Sequence, residues 1–164
     1  MFSNLSPFTK LHVVISLIGI VSGLVVMSGL LVGQKLNRWS ALFLISTALT
    51  SVTGFFFPFH GVTPAIVVGL ISLVLLAIAI VARYARHLAG AWRWIYVLSV
   101  MIALYLNIFV LVVQLFQKVP ALKAMAPTPS EPPFAVTQLV VLALFVLLTI
   151  VAAVKFRGEQ LRRA

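Results

Sequence analysis

A chain of 164 residues that is 63% hydrophobic, 9% charged and of mean hydropathy +1.21 lies outside the composition of soluble globular domains, in which about a quarter of residues are charged. Its formal charge of +10 comes from 12 Lys and Arg against 2 acids, with no basic face interleaved with aromatics, which points to membrane headgroups and away from nucleic acid. Cysteine is absent, which excludes disulfides, thiolate catalysis and Cys-based metal sites.

Five apolar runs, at residues 11–33, 39–59, 64–84, 93–116 and 134–155, are each long enough as helices to cross about 30 Å of hydrocarbon. Before the first, Ser6-Pro7 supplies an N-capping hydroxyl followed by a proline whose missing donor is harmless at the first helical position. The run is too long for the core of a cleaved signal, and Lys35 and Arg38 follow it as an anchor requires. Within it, Gly19-x-x-x-Gly23 and Gly29-x-x-x-Gly33 share a broad side with Ser16 and Ser22, where another helix of the same chain, or a second copy, can approach closely.

The short connector Gln34–Asn37 turns the chain into an antiparallel second helix. That helix is unusually polar, with Ser46, Thr47, Thr50, Ser51 and Thr53, and Gly54 and Pro58 could break it into a re-entrant hairpin. Phe55, Phe56, Phe57 and Phe59 surround Pro58; phenylalanine has no polar handle, so the cluster reads as an ordinary helix end or as a docking surface for a partner subunit or a lipid. Thr63-Pro64 repeats the capping chemistry and opens the third run.

In the fourth run Tyr96, Ala103, Asn107 and Gln114 fall within about a 40° arc. Amides in hydrocarbon must find partners inside protein, and the nearest hydroxyls are Ser46, Thr50 and Thr53 of the second helix. The connector 117–133 holds five of the eight prolines and is expected to run extended as a passive external loop, with Val119, Leu122 and Met125 able to lie on the bilayer surface. Pro133 before Phe134 opens the last run.

Orientation follows from the cations. Lys35, Arg38, Arg83, Arg86, Arg93, Lys155, Arg157, Arg162 and Arg163 share one side, whereas Lys10, Lys118 and Lys123 occupy the other. Nine against three places the N-terminus outside and the C-terminus in the cytoplasm. Trp39, Trp92 and Trp94, with Tyr84 and Tyr96, fall on the same basic side as an interfacial belt.

Catalytic chemistry has almost no candidates. Glu131 and Glu159 lie on opposite sides of the bilayer and can form neither a carboxylate pair nor an acidic relay, and no nucleotide or metalloprotease motif occurs. His12 and His60 share the outer side and could in principle hold haem or metal between them, but two histidines without carboxylate or cysteine support make an incomplete site; no cofactor is expected.

The stretches Thr53-Gly54-Phe55-Phe56-Phe57-Pro58-Phe59-His60-Gly61, Phe116-Gln117-Lys118-Val119-Pro120-Ala121-Leu122-Lys123 and Ser130-Glu131-Pro132-Pro133-Phe134 resemble small multi-pass inner-membrane proteins of proteobacteria that carry no assigned activity. The resemblance spans most of the chain and implies a bacterial inner-membrane location; it transfers no functional residues.

The expectation is therefore one all-α domain over 1–164, an integral bundle of five transmembrane helices without enzymatic activity. It would act through helix packing with itself or with a larger membrane complex and meet anionic lipids on its cytoplasmic face. A small oligomeric transport or permeation unit is the alternative, and a haem-binding electron carrier the third reading.

Overall fold

The computed structural model describes residues 6–57 and 64–162, with side chains described as far as Phe156 in the last helix. Six α-helices follow in order: α1 (Pro7–Leu31), α2 (Asn37–Gly54), α3 (Pro64–Ile80), α4 (Trp92–Lys118), α5 (Pro120–Met125) and α6 (Pro132–Arg162). A π turn at Val81–Ala85 prolongs α3, and no strand occurs among the described residues.

The helix ends show why the boundaries fall where they do. At the start of α1 the Ser6 hydroxyl accepts from the Thr9 N–H at 3.2 Å, with Pro7 in the first turn. At its end Gly33 has φ +73°, the left-handed conformation that costs glycine nothing, and lets Gln34 N–H reach Gly29 O at 2.8 Å and Gly33 N–H reach Leu30 O at 3.2 Å. The expected Gly29–Gly33 helical ridge is corrected accordingly: Gly29 lies in the helix and Gly33 terminates it.

The expectation for the connector 117–133 is corrected as well. Rather than running extended throughout, it folds at Pro120–Met125 into α5, because Pro120 takes the first helical position after an extended Val119, where its ring is preorganised for the helix. The last helix begins at Pro132 and continues to Arg162, beyond the expected 155.

Side-chain pairings define the helix directions. Along α1 and α2, His12 meets Thr53, Gly19 faces Thr47, Gly23 faces Phe43 and Gly29 faces Leu36, an antiparallel hairpin. From position 12 to position 29 that seam runs about 26 Å at 1.5 Å per residue. Gly69 of α3 lies against Phe55 and Ser51, while Arg83 at the other end bonds Asn37, so α3 is antiparallel to α2. Phe116–Phe134, Tyr105–Phe145 and Tyr96–Phe156 ring contacts make α6 antiparallel to α4. Ser40–Tyr96 and Thr47–Asn107 bonds make α2 and α4 parallel.

Four helices, Pro7–Leu31, Pro64–Ala85, Trp92–Lys118 and Pro132–Phe156, are long and apolar enough to cross a membrane; α2 is not among them. The outward surface is apolar, with Val21, Leu70, Val74, Leu139, Leu147 and Ile150 all exposed, as hydrocarbon demands and water would penalise. Inside, α4 forms the hub: Tyr96, Val97, Val100, Met101, Ala103 and Leu104 are buried against Phe43, Leu76 and Phe156.

Candidate functional site

The most chemically distinctive place in the bundle is at its basic end. The inward stripe of α3 runs Ser72, Leu76, Ala79 and then Arg83, positions at helical spacing that carry a guanidinium into the same buried face as the apolar residues before it. The π turn follows at that point, with Arg86 N–H bonding Val81 O and Leu88 N–H bonding Ala82 O. His87 and Leu88 both have positive φ, +48° and +59°, a strained conformation for side-chain-bearing residues that turns the chain sharply and buries Leu88.

Arg83 is 8% exposed. Its NH1 donates to the Tyr96 hydroxyl oxygen at 2.9 Å and its NH2 to Asn37 Oδ1 at 2.6 Å; the Tyr96 O–H in turn donates to Ser40 Oγ at 3.1 Å. The guanidinium carbon lies 5.1 Å from the Tyr96 ring centroid and 5.9 Å from that of Tyr84, both within cation–π range. One side chain thus ties α2, α3 and α4 together. Beside it Arg86 stacks over Trp92 at 5.1 Å, and Arg93 Nε donates to Leu88 O at 2.9 Å.

No carboxylate among the described side chains meets Arg83. Glu131 is at the opposite end of the bundle, where Thr128 donates to it at 3.5 Å. Among the described side chains the guanidinium is met by neutral dipoles and ring faces.

The expected polar seam between the second and fourth helices is present with a different partner: Asn107 Nδ2 donates to Thr47 Oγ1 at 3.1 Å, rather than to Ser46, Thr50 or Thr53. The difference is one of rotation, since Thr47 is fully buried and Ser46 and Thr53 give their hydroxyl protons to carbonyls of their own helix. Gln114 Oε1, Thr50 Oγ1 and Gln138 Oε1 are buried without a partner.

At the end of the bundle opposite Arg83, His12 Nδ1 lies 2.8 Å from Thr53 Oγ1. Thr53 spends its only hydrogen on Leu49 O at 2.7 Å, so Nδ1 carries the proton in this pair and Nε2 is the ring's acceptor nitrogen when the ring is neutral. The His12 ring meets Phe57 edge-on at 5.0 Å, and Phe8 also packs on Phe57, at 5.2 Å. His60 and Phe59 lie outside the described residues. No group of three potential metal ligands occurs among the described residues.

Of the phenylalanine cluster, Phe56 is 73% exposed and Phe55 38%, whereas Phe57 is drawn into the contact with Phe8 and His12. Of the glycines, Gly19 and Gly23 face α2 and Gly29 faces Leu36 of the following turn. A cavity of about 340 Å³ opens between α4, the proline-rich connector and α6, lined by Phe116, Gln117, Lys123, Pro127 and Phe134. The residues not singled out from the sequence are Asn37, Ser40 and the inward role of Arg83; the signal was the continuation of the 72–76–79 stripe onto position 83.

Comparison with protein-family models, with curated proteins and with solved structures finds no match to this chain.

Proposed function

We propose that the chain is a non-enzymatic integral membrane protein of five crossing helices, N-terminus outside and C-terminus cytoplasmic, seated in a bacterial inner membrane and acting through helix packing with itself or with a larger membrane complex. The observation that carries this reading is how its interior polar groups are spent: Arg83 on Asn37 and Tyr96, Tyr96 on Ser40, Asn107 on Thr47 and His12 on Thr53 all join one helix to another. Chemistry of that kind sets the mutual geometry of helices.

The fifth crossing is supported by the α1–α2 seam. A helix that accompanies α1 for about 26 Å occupies nearly the same depth as α1, whatever its own hydropathy. Orientation is supported by the uneven cations, with Lys35, Arg38, Arg83, Arg86, Arg93 and Lys155 at one end of the bundle and Lys10, Lys118 and Lys123 at the other.

Two measurements test the reading. Reporter fusions after Arg38, after His87 and at Ala164 should give cytoplasmic signals, and one within Ala126–Ser130 an external signal; the reverse pattern overturns the orientation. Native mass spectrometry of protein extracted from its membrane should show a homo-oligomer or a co-extracted membrane subunit; a bare monomer throughout overturns the assembly role.

A permeation unit is the second reading, favoured by the three unpartnered oxygens of Thr50, Gln114 and Gln138, which water would satisfy. Cysteines placed at Asn107 and Gln114 should stay unreactive toward a membrane-impermeant thiol reagent if the seam is dry. Ready labelling at both would put the permeation reading first.

A further inference from the structure

We propose that Arg83 is the receptor for the phosphate of an anionic phospholipid in the leaflet that the preceding section reads as cytoplasmic, on which the choice of leaflet rests. Three observations converge on it. First, the guanidinium is nine-tenths buried and uses two of its five N–H donors, on Asn37 and Tyr96. Its remaining donors meet no described side chain, and no described carboxylate lies beside it. A sequestered cation is costly unless a counter-charge reaches it, and the planar fork of arginine matches two oxygens of a phosphate.

Second, its position suits a headgroup. Arg83 sits at the end of an apolar crossing helix beside the Tyr84 ring, and Trp92 and Trp94 open α4 at the same end of the bundle; amphipathic rings of this kind mark the level where headgroups lie. Third, Ile80, Val81 and Tyr84 on the outward side of the same stretch of helix are 43%, 43% and 50% exposed, a bare apolar flank beside the inward-turned charge against which acyl chains can lie. Free phosphate would find the charge but gain nothing from that surface.

Two other anions compete for the role. Inorganic phosphate shares the headgroup chemistry, and Glu159 follows by three residues Phe156, whose ring packs on Tyr96. The experiment separates them. The purified full-length protein is presented with equal amounts of dioleoyl phosphatidylglycerol and dioleoyl phosphatidylcholine, and retained lipid is counted by native mass spectrometry.

The expected result is one phosphatidylglycerol held at least about tenfold in preference, that preference falling about tenfold in Arg83→Lys and Arg83→Gln, the loss of one charge-assisted bidentate contact. It should be unchanged in Glu159→Gln and unaffected by millimolar inorganic phosphate. Full retention in the Arg83 variants would assign the lipid to the surrounding cations and overturn the proposal. Displacement by inorganic phosphate would convert the site to one for a free anion, and a gain of binding in Glu159→Gln would identify the tail carboxylate as the true counter-charge; either overturns it.

Should the Arg83 variants fail to fold, wild-type protein labelled with a phosphatidylglycerol bearing a photoreactive group beside its phosphate decides the matter. Labelling should fall on the peptide around Ile80–Arg86, and labelling confined to other segments overturns the assignment. Failure of this proposal and failure of the topology are separable, since the fusions after His87 and at Ala164 report orientation without reference to lipid.

Discussion

α2 and α3 are neighbours, run in opposite directions over the same depth and differ in almost every other respect. In α3 and its π turn, 22% of the most apolar stretch is buried, and Val67, Leu70, Ile71 and Val74 face outward. α2 instead turns Ser40, Ser46, Thr47 and Ser51 inward beside Phe43 and Leu44, and two of its inward side chains bond to α4. The lesson is that hydropathy in such a bundle reports exposure to lipid rather than depth of insertion. A helix whose polar side faces α1 and α4 can be the more polar one, because its inward hydroxyls find protein partners instead of hydrocarbon. Among the four helices that qualify as crossings, the hub α4 is 44% buried over its window and the peripheral α6 22%, which extends the same contrast across the molecule.

The sharpest way to break this comparison is to overfill the seam of α2. A Cβ on Gly23 would stand 2.5 Å from Leu104 Cδ1 and 2.8 Å from Phe43 Cε2, and both of those side chains are fully buried with nowhere to move. Gly23→Leu should therefore destabilise the protein by about 3 kcal/mol, more than the roughly 1 kcal/mol of helix propensity that replacing glycine returns. Unfolding in mixed micelles, followed by the fluorescence of the three tryptophans, measures it. A neutral or stabilising result would mean that α1 and α2 are not in close contact.

A smaller effect is expected from the hydrogen bond between α4 and α2. In a double-mutant cycle of Asn107→Leu and Thr47→Val, the coupling energy should be about 0.6 kcal/mol and no more than about 2, because the unfolded chain in a membrane also finds partners. A coupling of zero would indicate that the two side chains do not meet, and would return Asn107 to the Ser46 or Thr50 partnership expected from the helical arc.

The smallest effect belongs to the outward side of α3. Leu70 is 59% exposed, and Leu70→Ala trades one apolar surface for another in contact with lipid, so stability should change by less than about 0.5 kcal/mol. A loss of 2 kcal/mol or so, by the same unfolding assay, would show that this face is buried against a partner, and would place a subunit interface on α3.

Much of the organisation was legible in the residues. The runs at 11–33, 64–84, 93–116 and 134–155 return as crossing-length helices, because unbroken apolar stretches of that length leave the backbone no alternative to satisfying its own hydrogen bonds. The Ser6-Pro7 cap and the Asn107 link to the second helix were readable for the same reason: each follows from a local donor or acceptor that must be satisfied. The end of α1 at Gly33, the α5 turn inside the proline-rich connector and the identity of Thr47 as Asn107's partner were not. Each depends on a dihedral choice or a helix rotation that shifts by one residue at little local cost.

What the sequence alone determined is the helical class, the apolar surface and the concentration of cations at one end, since these are sums over residue types and survive small shifts of register. What only the tertiary structure decided is which polar groups meet. Arg83 reads in the sequence as one more basic residue flanking a connector. Its burial against Asn37, Ser40 and Tyr96 arises because α2, α3 and α4 converge at that level, and convergence is a property of packing angles and helix rotation that no single segment encodes.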